Sequence, residues 1–172
     1  FGLCLGDIVG WNHALYPQYN KVMSHAGIEF RNVMGNHDMT NYGDRHEGSM
    51  KDYEDAFGPA WYSFNAGKVH YVVLNDNFFI GRDWYYIGYL DKRQLEWLGN
   101  GRAYVPKGST VIVSLHIPTT LSEADRKAFG YSDISEIMAN KQGLYNLLKA
   151  EILKIADPYD PRTGTVIELS EN

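Results

Sequence analysis

The residues best equipped for chemistry stand in one run, Gly35-Asn36-His37-Asp38, delivered by the apolar pair Val33-Met34. An amide oxygen can ligate a hard or borderline cation, an imidazole can ligate or move a proton, and a carboxylate can ligate or orient. The same run also suits a polar turn after a strand, because Gly and Asn both favour turns. Two other polar residues share its context. Asp7 follows the apolar stretch Phe1 to Leu5 and Gly6, and His116 follows the apolar stretch Thr110 to Leu115. A carboxylate or imidazole just beyond a buried strand lies at the edge where open α/β sheets bind ligands. Taken alone, His116 also reads as a histidine that simply ends a strand.

The elements that must position these residues are legible from periodicity and punctuation. Residues 1–6 read as a buried strand that stops at Gly6-Asp7. Asn12 is placed to cap a helix over 13–26, with Leu15, Tyr19, Val22, Met23 and Ala26 on one face and Gly27 as its stop. Residues 28–34 read as a second strand. A helix between two strands implies a parallel βαβ unit, which brings Asp7 and Asn36 to one edge.

Residues 40–49 are expected to form a polar surface loop that carries His46 and Glu47, followed by a short helix over 51–57. Segments 61–65 and 68–75 read as strands paired through Ala66-Gly67, the second buried on both faces, with His70 a satisfied core or edge histidine. The aromatic stretch 76–90 is too irregular for a strand and reads as a loop folded onto the core, with an aromatic wall beside a site as the alternative; Arg82 could grip a phosphate through its planar fork but is expected to be solvated. Asp91 caps a helix that ends near Gly99-Asn100-Gly101. Thr110 to Leu115 is the cleanest strand. Residues 119–137 read as loop, 138–149 as a helix, and 165–169 as a short strand in a hairpin or small extension.

The composition narrows the class of protein. At 172 residues and 44% hydrophobic, the chain fits one globular domain with a substantial core. The single cysteine, Cys4, leaves no internal disulfide and reads as a buried thiol. With a net charge of −5 and no basic run, the chain lacks the electrostatic footprint of a nucleic-acid binder. No apolar stretch approaches the ~18 residues of a membrane-spanning helix, and residues 1–7 do not read as a signal peptide.

Asp7, Asn36 and His116 together offer a carboxylate, an amide oxygen and an imidazole, a mixed oxygen and nitrogen set that suits Mn²⁺, Fe²⁺ or Zn²⁺. A carboxylate can bridge two such ions, and a pair of ions can clamp the attacking and leaving oxygens of a phosphoryl displacement. His37, beside a ligand, would protonate the leaving alkoxide.

Gly6-Asp7, then Gly35-Asn36-His37-Asp38, then a strand ending in His116-Ile117-Pro118 resembles the calcineurin-like metallophosphoesterases over residues 1–149. The resemblance implies a four-layer α/β/β/α sandwich, two divalent metal ions (Mn, Fe or Zn) and a small phosphomonoester or phosphodiester as substrate. It implies Asp7 as the bridging ligand, Asn36 and His116 on the second metal, and His37 as proton donor or transition-state stabiliser; with His37, Asp38 is the other expected catalytic residue, in an orienting role. Gly10 and Asp38 stand where purple acid phosphatases carry tyrosine and glutamate. Gly10-Trp11-Asn12 stands where protein Ser/Thr phosphatases carry Asp-Arg-Gly. A general phosphoesterase is therefore expected.

The family also carries an Asp-x-His motif at its start and a Gly-His-x-His motif near its end, and neither occurs here. The chain is accordingly expected to be a fragment with the opening motif upstream, with residues missing between Lys149 and Ala150, and with little activity by itself. Residues 150–172 would be an extension or the start of a following domain. A contrasting reading is a metallophosphoesterase scaffold without catalysis that serves as a binding module, its aromatic stretch 78–89 a partner surface.

Overall fold

The computed structural model describes residues 1–40, 45–81, 86–101, 104–106, 109–119, 137–148, 154–155 and 165–170. They form an α/β protein. Strand β1 (Gly2–Cys4) leads through a 3-10 turn at His13–Leu15 into helix α1 (Tyr16–Ser24) and returns as β2 (Phe30–Asn32). The two strands pair in parallel, with Gly2, Leu3 and Cys4 opposite Phe30, Arg31 and Asn32, as the βαβ reading requires. Both strands stop early. Among the described residues their sheet has only two strands, so β1 is half-buried rather than buried, while Val33 and Met34 just beyond β2 are fully enclosed.

The helix between them departs from expectation. Asn12 makes no side-chain capping bond, and the α-helix begins at Tyr16 with Pro17 in its first turn, where a missing N–H costs nothing. Leu15 and Val22 are exposed, and within α1 only Tyr16 is buried, so the anticipated apolar face is not the packed one.

A second sheet runs in the order β3 (Tyr62–Ala66), β4 (Val69–Val73), β7 (Thr110–Leu115), β9 (Thr165–Ser170) and β8 (Lys154–Ile155). Strands β3 (Tyr62–Ala66) and β4 (Val69–Val73) form the expected hairpin, with Gly67 at φ +61° in the first position of a two-residue turn that demands positive φ. In β3, half-buried Tyr62, Phe64 and Ala66 alternate with exposed Ser63 and Asn65, the period of a one-sided strand. In β4 only Val72 and Val73 are buried; Val69, His70 and Tyr71 are half-buried, and His70 bonds Asn65 at the open end. Strand β7 (Thr110–Leu115) pairs in parallel with β4 and antiparallel with β9 (Thr165–Ser170), which in turn pairs with β8 (Lys154–Ile155).

The aromatic stretch is not simply a loop. Asn77–Phe79 (β5) and Tyr86–Gly88 (β6) pair antiparallel, because backbone pairing satisfies a segment whose side chains pack on both sides. Arg82 lies outside the described residues, as do most of 119–137 and the 149/150 junction. His46 is a second correction. It lies in a 3-10 turn over His46–Met50 and is 7% exposed, held by the Phe79 backbone N–H on its Nδ1 (3.2 Å) and by the Phe78 ring.

Helix α2 (Lys51–Phe57) falls where the sequence puts it, and α3 (Lys92–Gly101) is capped by Asp91, whose carboxylate accepts the Gln94 N–H at 2.7 Å. Helix α4 is Lys141–Leu148. The α3–α4 pair covers one core with Val72, Leu74, Val113 and Leu115 from the large sheet. A second core gathers Met34, Met39, Met50, Tyr53 and Phe79. The Phe1 ring meets Phe64 and Tyr71 edge-on at 5.3 and 5.1 Å, joining the β1 end of the small sheet to the large one.

Candidate functional site

Asp7 and His116 are reached by strands of different sheets. Beyond β1 the chain turns through Gly6 at φ +104° and Asp7 at φ +51°, two successive left-handed residues. For Asp7 this conformation costs about 1–2 kcal/mol, so neighbouring bonds must hold it. Asp38 supplies them. Its carboxylate, with the residue 0% exposed, accepts the Ile8 N–H at 3.1 and 3.2 Å, the Gly35 N–H at 2.9 Å and the Tyr16 hydroxyl at 3.1 Å. One anion thus ties the Asp7 loop to the turn over 36–38. Burial pushes the Asp38 carboxyl above its usual range, and the two backbone N–H groups and Tyr16 pull it back. Asp38 is thus enclosed between the two loops rather than facing solvent.

The glycines allow the close approach. A Cβ on Gly35 would overlap the Asp7 backbone N and carboxylate, and one on Gly6 would overlap the His116 ring and stand 2.9 Å from Gly35 Cα.

His116 arrives from the large sheet. Its backbone N–H and that of Ile117 donate to Asp76 at 3.1–3.2 Å, and Asp76 follows β4, the parallel neighbour of β7. Asp76 is fully enclosed, and that burial pushes its carboxyl up to about 6 against the lowering effect of His116 and the backbone N–H groups. Its signal in the sequence is the one that marks Asp7, a carboxylate directly after a strand.

The predicted residues do converge, at the meeting ends of two sheets rather than at one sheet's edge. The His116 Nδ1–H donates to the Leu5 carbonyl at 2.8 Å, which turns Nε2 toward the other two residues. Nε2 lies 2.9 Å from Asn36 Oδ1 and 3.4 Å from Asp7 Oδ1. Ligands held at about 2.1 Å from one ion stand about 3.0 Å apart at a right angle and about 3.4 Å apart at a tetrahedral angle, so the set fits adjacent positions around a cation. The His116 side chain is 6% exposed and the Asp7 side chain 31%, so the cluster opens to solvent on the Asp7 side.

No family model and no curated protein matches the chain.

His37 stands beside this cluster. Its backbone N–H donates to Asp7 Oδ1 at 3.0 Å, and its ring lies 4.3 Å from the Trp11 ring at 31°. Trp11, at φ +64°, is the other non-glycine residue in the left-handed region among the described residues. Among the described residues no group of three or more His, Cys, Asp or Glu side chains is placed to hold a metal ion; the third donor here is an amide. No helix among the described residues is long and apolar enough to cross a membrane. A groove of about 560 Å³ lined by Asn20, Phe30, Arg31, Tyr53, Phe57 and Tyr62 includes none of the site residues.

Proposed function

We propose that the chain is part of a metal-dependent phosphoesterase of the calcineurin-like type, built on a four-layer α/β/β/α sandwich and acting on a small phosphomonoester or phosphodiester. The carrying observation is the convergence of His116 Nε2, Asn36 Oδ1 and Asp7 Oδ1 at separations that suit neighbouring ligands of one cation. In this reading Asn36, His116 and Asp7 would hold a divalent ion (Mn, Fe or Zn), and the Asp7 carboxylate would also serve a second. Bound divalent ions supply Lewis-acid polarisation of the phosphoryl group and acidify the attacking water.

The chain's own residues do the rest. Leu5 occupies His116 Nδ1, so Nε2 is the atom that would ligate. Asp38 and the Gly6–Gly35 contact hold Asp7 at its left-handed turn. His37 donates its ring proton to the departing alkoxide oxygen.

Isothermal titration of the full-length protein with Mn²⁺, alongside hydrolysis of p-nitrophenyl phosphate and its diester, tests the proposal. Metal-dependent turnover that falls at least 100-fold in His37→Ala, together with loss of binding in His116→Ala, is expected. Binding without turnover would favour the non-catalytic scaffold, and absence of both would overturn the metal site.

A further inference from the structure

We infer that His13 is a positioning residue for His37: lying between Asp52 and the His37 carbonyl, it holds that carbonyl and so fixes where the His37 ring stands. This rests on the reading of His37 as the proton donor.

His13 opens the 3-10 turn before α1, and its side chain is 13% exposed. Its Nδ1 lies 2.8 Å from Asp52 Oδ2, and its Nε2 lies 3.1 Å from the His37 carbonyl oxygen. A carboxylate and a carbonyl are both acceptors. A neutral imidazole carries one N–H and would turn its remaining lone pair onto the other acceptor; only the doubly protonated ring makes both bonds.

Its partners are themselves fixed. The His13 ring stacks on Tyr16 with centroids 5.1 Å apart and planes 6° apart, and the Tyr16 hydroxyl donates to Asp38. Asp52, in the first turn of α2, donates its backbone N–H to Thr40 Oγ1 at 2.9 Å. His37 is thereby held at three points: its N–H by Asp7, its carbonyl by His13, and its ring face by Trp11. His13 grips the backbone rather than the ring, so it orients the proton donor without taking part in the transfer. It also couples the turn over 36–38 to α2, an element that contributes nothing else to the site.

The test uses the full-length protein with ¹⁵N-labelled histidine at pH 7. Two protonated ring nitrogens on His13 are expected, with one lost in Asp52→Asn, and the His37 ring resonances should move in His13→Gln. In the same variants kcat should fall between about 10- and 100-fold with KM within twofold of wild type and circular dichroism unchanged. A singly protonated His13 in the wild type, or an Asp52→Asn variant with wild-type kcat and unmoved His37 resonances, would overturn the inference. Should the wild type turn over no phosphoester, the phosphoesterase reading fails by itself, and the ring protonation and the His37 shift still decide whether His13 is a brace.

Discussion

Replacing Asp38 tests whether one buried carboxylate holds the two loops of the site together. Its two oxygens accept three donors, the Ile8 and Gly35 N–H groups and the Tyr16 hydroxyl, in a position closed to water. Asp38→Ala strands the two backbone N–H groups without solvent, at about 1–3 kcal/mol each. The cavity adds to that cost. Removing a carboxylate whose burial already disfavours its charge subtracts from it, which leaves a destabilisation of about 2–5 kcal/mol. Asp38→Asn behaves differently. Its oxygen still takes the Gly35 and Ile8 N–H groups, and its NH₂ faces Tyr16, whose hydroxyl rotates to accept, so the expected cost is about 1–2 kcal/mol. The site should still feel the milder change, because Asp7 is held through the same contacts; Mn²⁺ affinity should fall about 10- to 100-fold. Urea unfolding followed by tryptophan fluorescence measures the first effect and calorimetric titration the second. An Asp38→Ala variant within 1 kcal/mol of wild type, or no costlier than Asp38→Asn, would refute the bracing role.

Gly35 has φ −98° and ψ 174°, which any residue adopts, so Gly35→Ala isolates sterics: its methyl should displace Asp7, cost about 1–3 kcal/mol and weaken Mn²⁺ binding more than tenfold, as read by denaturation and titration. Asp7→Asn should keep both the left-handed turn and the bond from the His37 N–H, losing metal affinity at near-wild-type stability, whereas Asp7→Ala should lose both, by the same two assays. Burial lowers His46 from its ordinary value of 6.5, so below about that pH the unfolded chain takes up a proton that the fold refuses and stability falls with acidification. His46→Asn, which keeps an acceptor for the Phe79 N–H, should flatten the fall in Tm between pH 7 and 5. Gln94 bonds both the N–H (2.9 Å) and the carbonyl (2.7 Å) of Asn75, so Gln94→Leu should cost about 2–5 kcal/mol in urea unfolding despite its similar volume.

What the sequence revealed, and what it hid, divides along a physical line. Local signals carried well: Gly67 marks its hairpin, Asp91 its helix, and the apolar run 110–115 its strand, because each depends on backbone geometry within a few residues. His46 defeated the local reading, since nothing in its polar neighbours reports that Phe78 and Phe79 will cover it. The aromatic stretch 77–88 hid its strands for a related reason: side chains that pack on both sides erase the alternation that marks a strand. Helix α1 shows the converse, an apolar periodicity at Leu15 and Val22 that the fold leaves exposed. At the site, Asp7, Asn36, His37 and His116 were legible because each follows an apolar run. Asp76 shows that signal too, while His13 and Asp52 carry none, because their pairing is a long-range contact across two helices.

The site is a joint between two sheets, and this explains which residues around it are buried and polar. Two short parallel strands have little stability of their own, so β1 and β2 cannot by themselves hold Asp7 and Asn36 in place. His116 crosses from the large sheet with one ring nitrogen on the Leu5 carbonyl and the other on the Asn36–Asp7 pair, so its imidazole closes the gap between sheets whether or not an ion is present. Asp76 then anchors the His116 backbone to the end of β4, and the Asn77 side chain donates to the Met34 carbonyl at 2.7 Å just ahead of the Gly35 turn. His116, Asp76 and Asn77 are buried and would be a liability in a core built for stability alone. Their cost is offset by the bonds they make, His116 and Asn77 across the seam and Asp76 to the chain beyond β7. Positioning of the donors is therefore a property of how the sheets meet, and substitutions at the seam should disturb the site before they disturb either core.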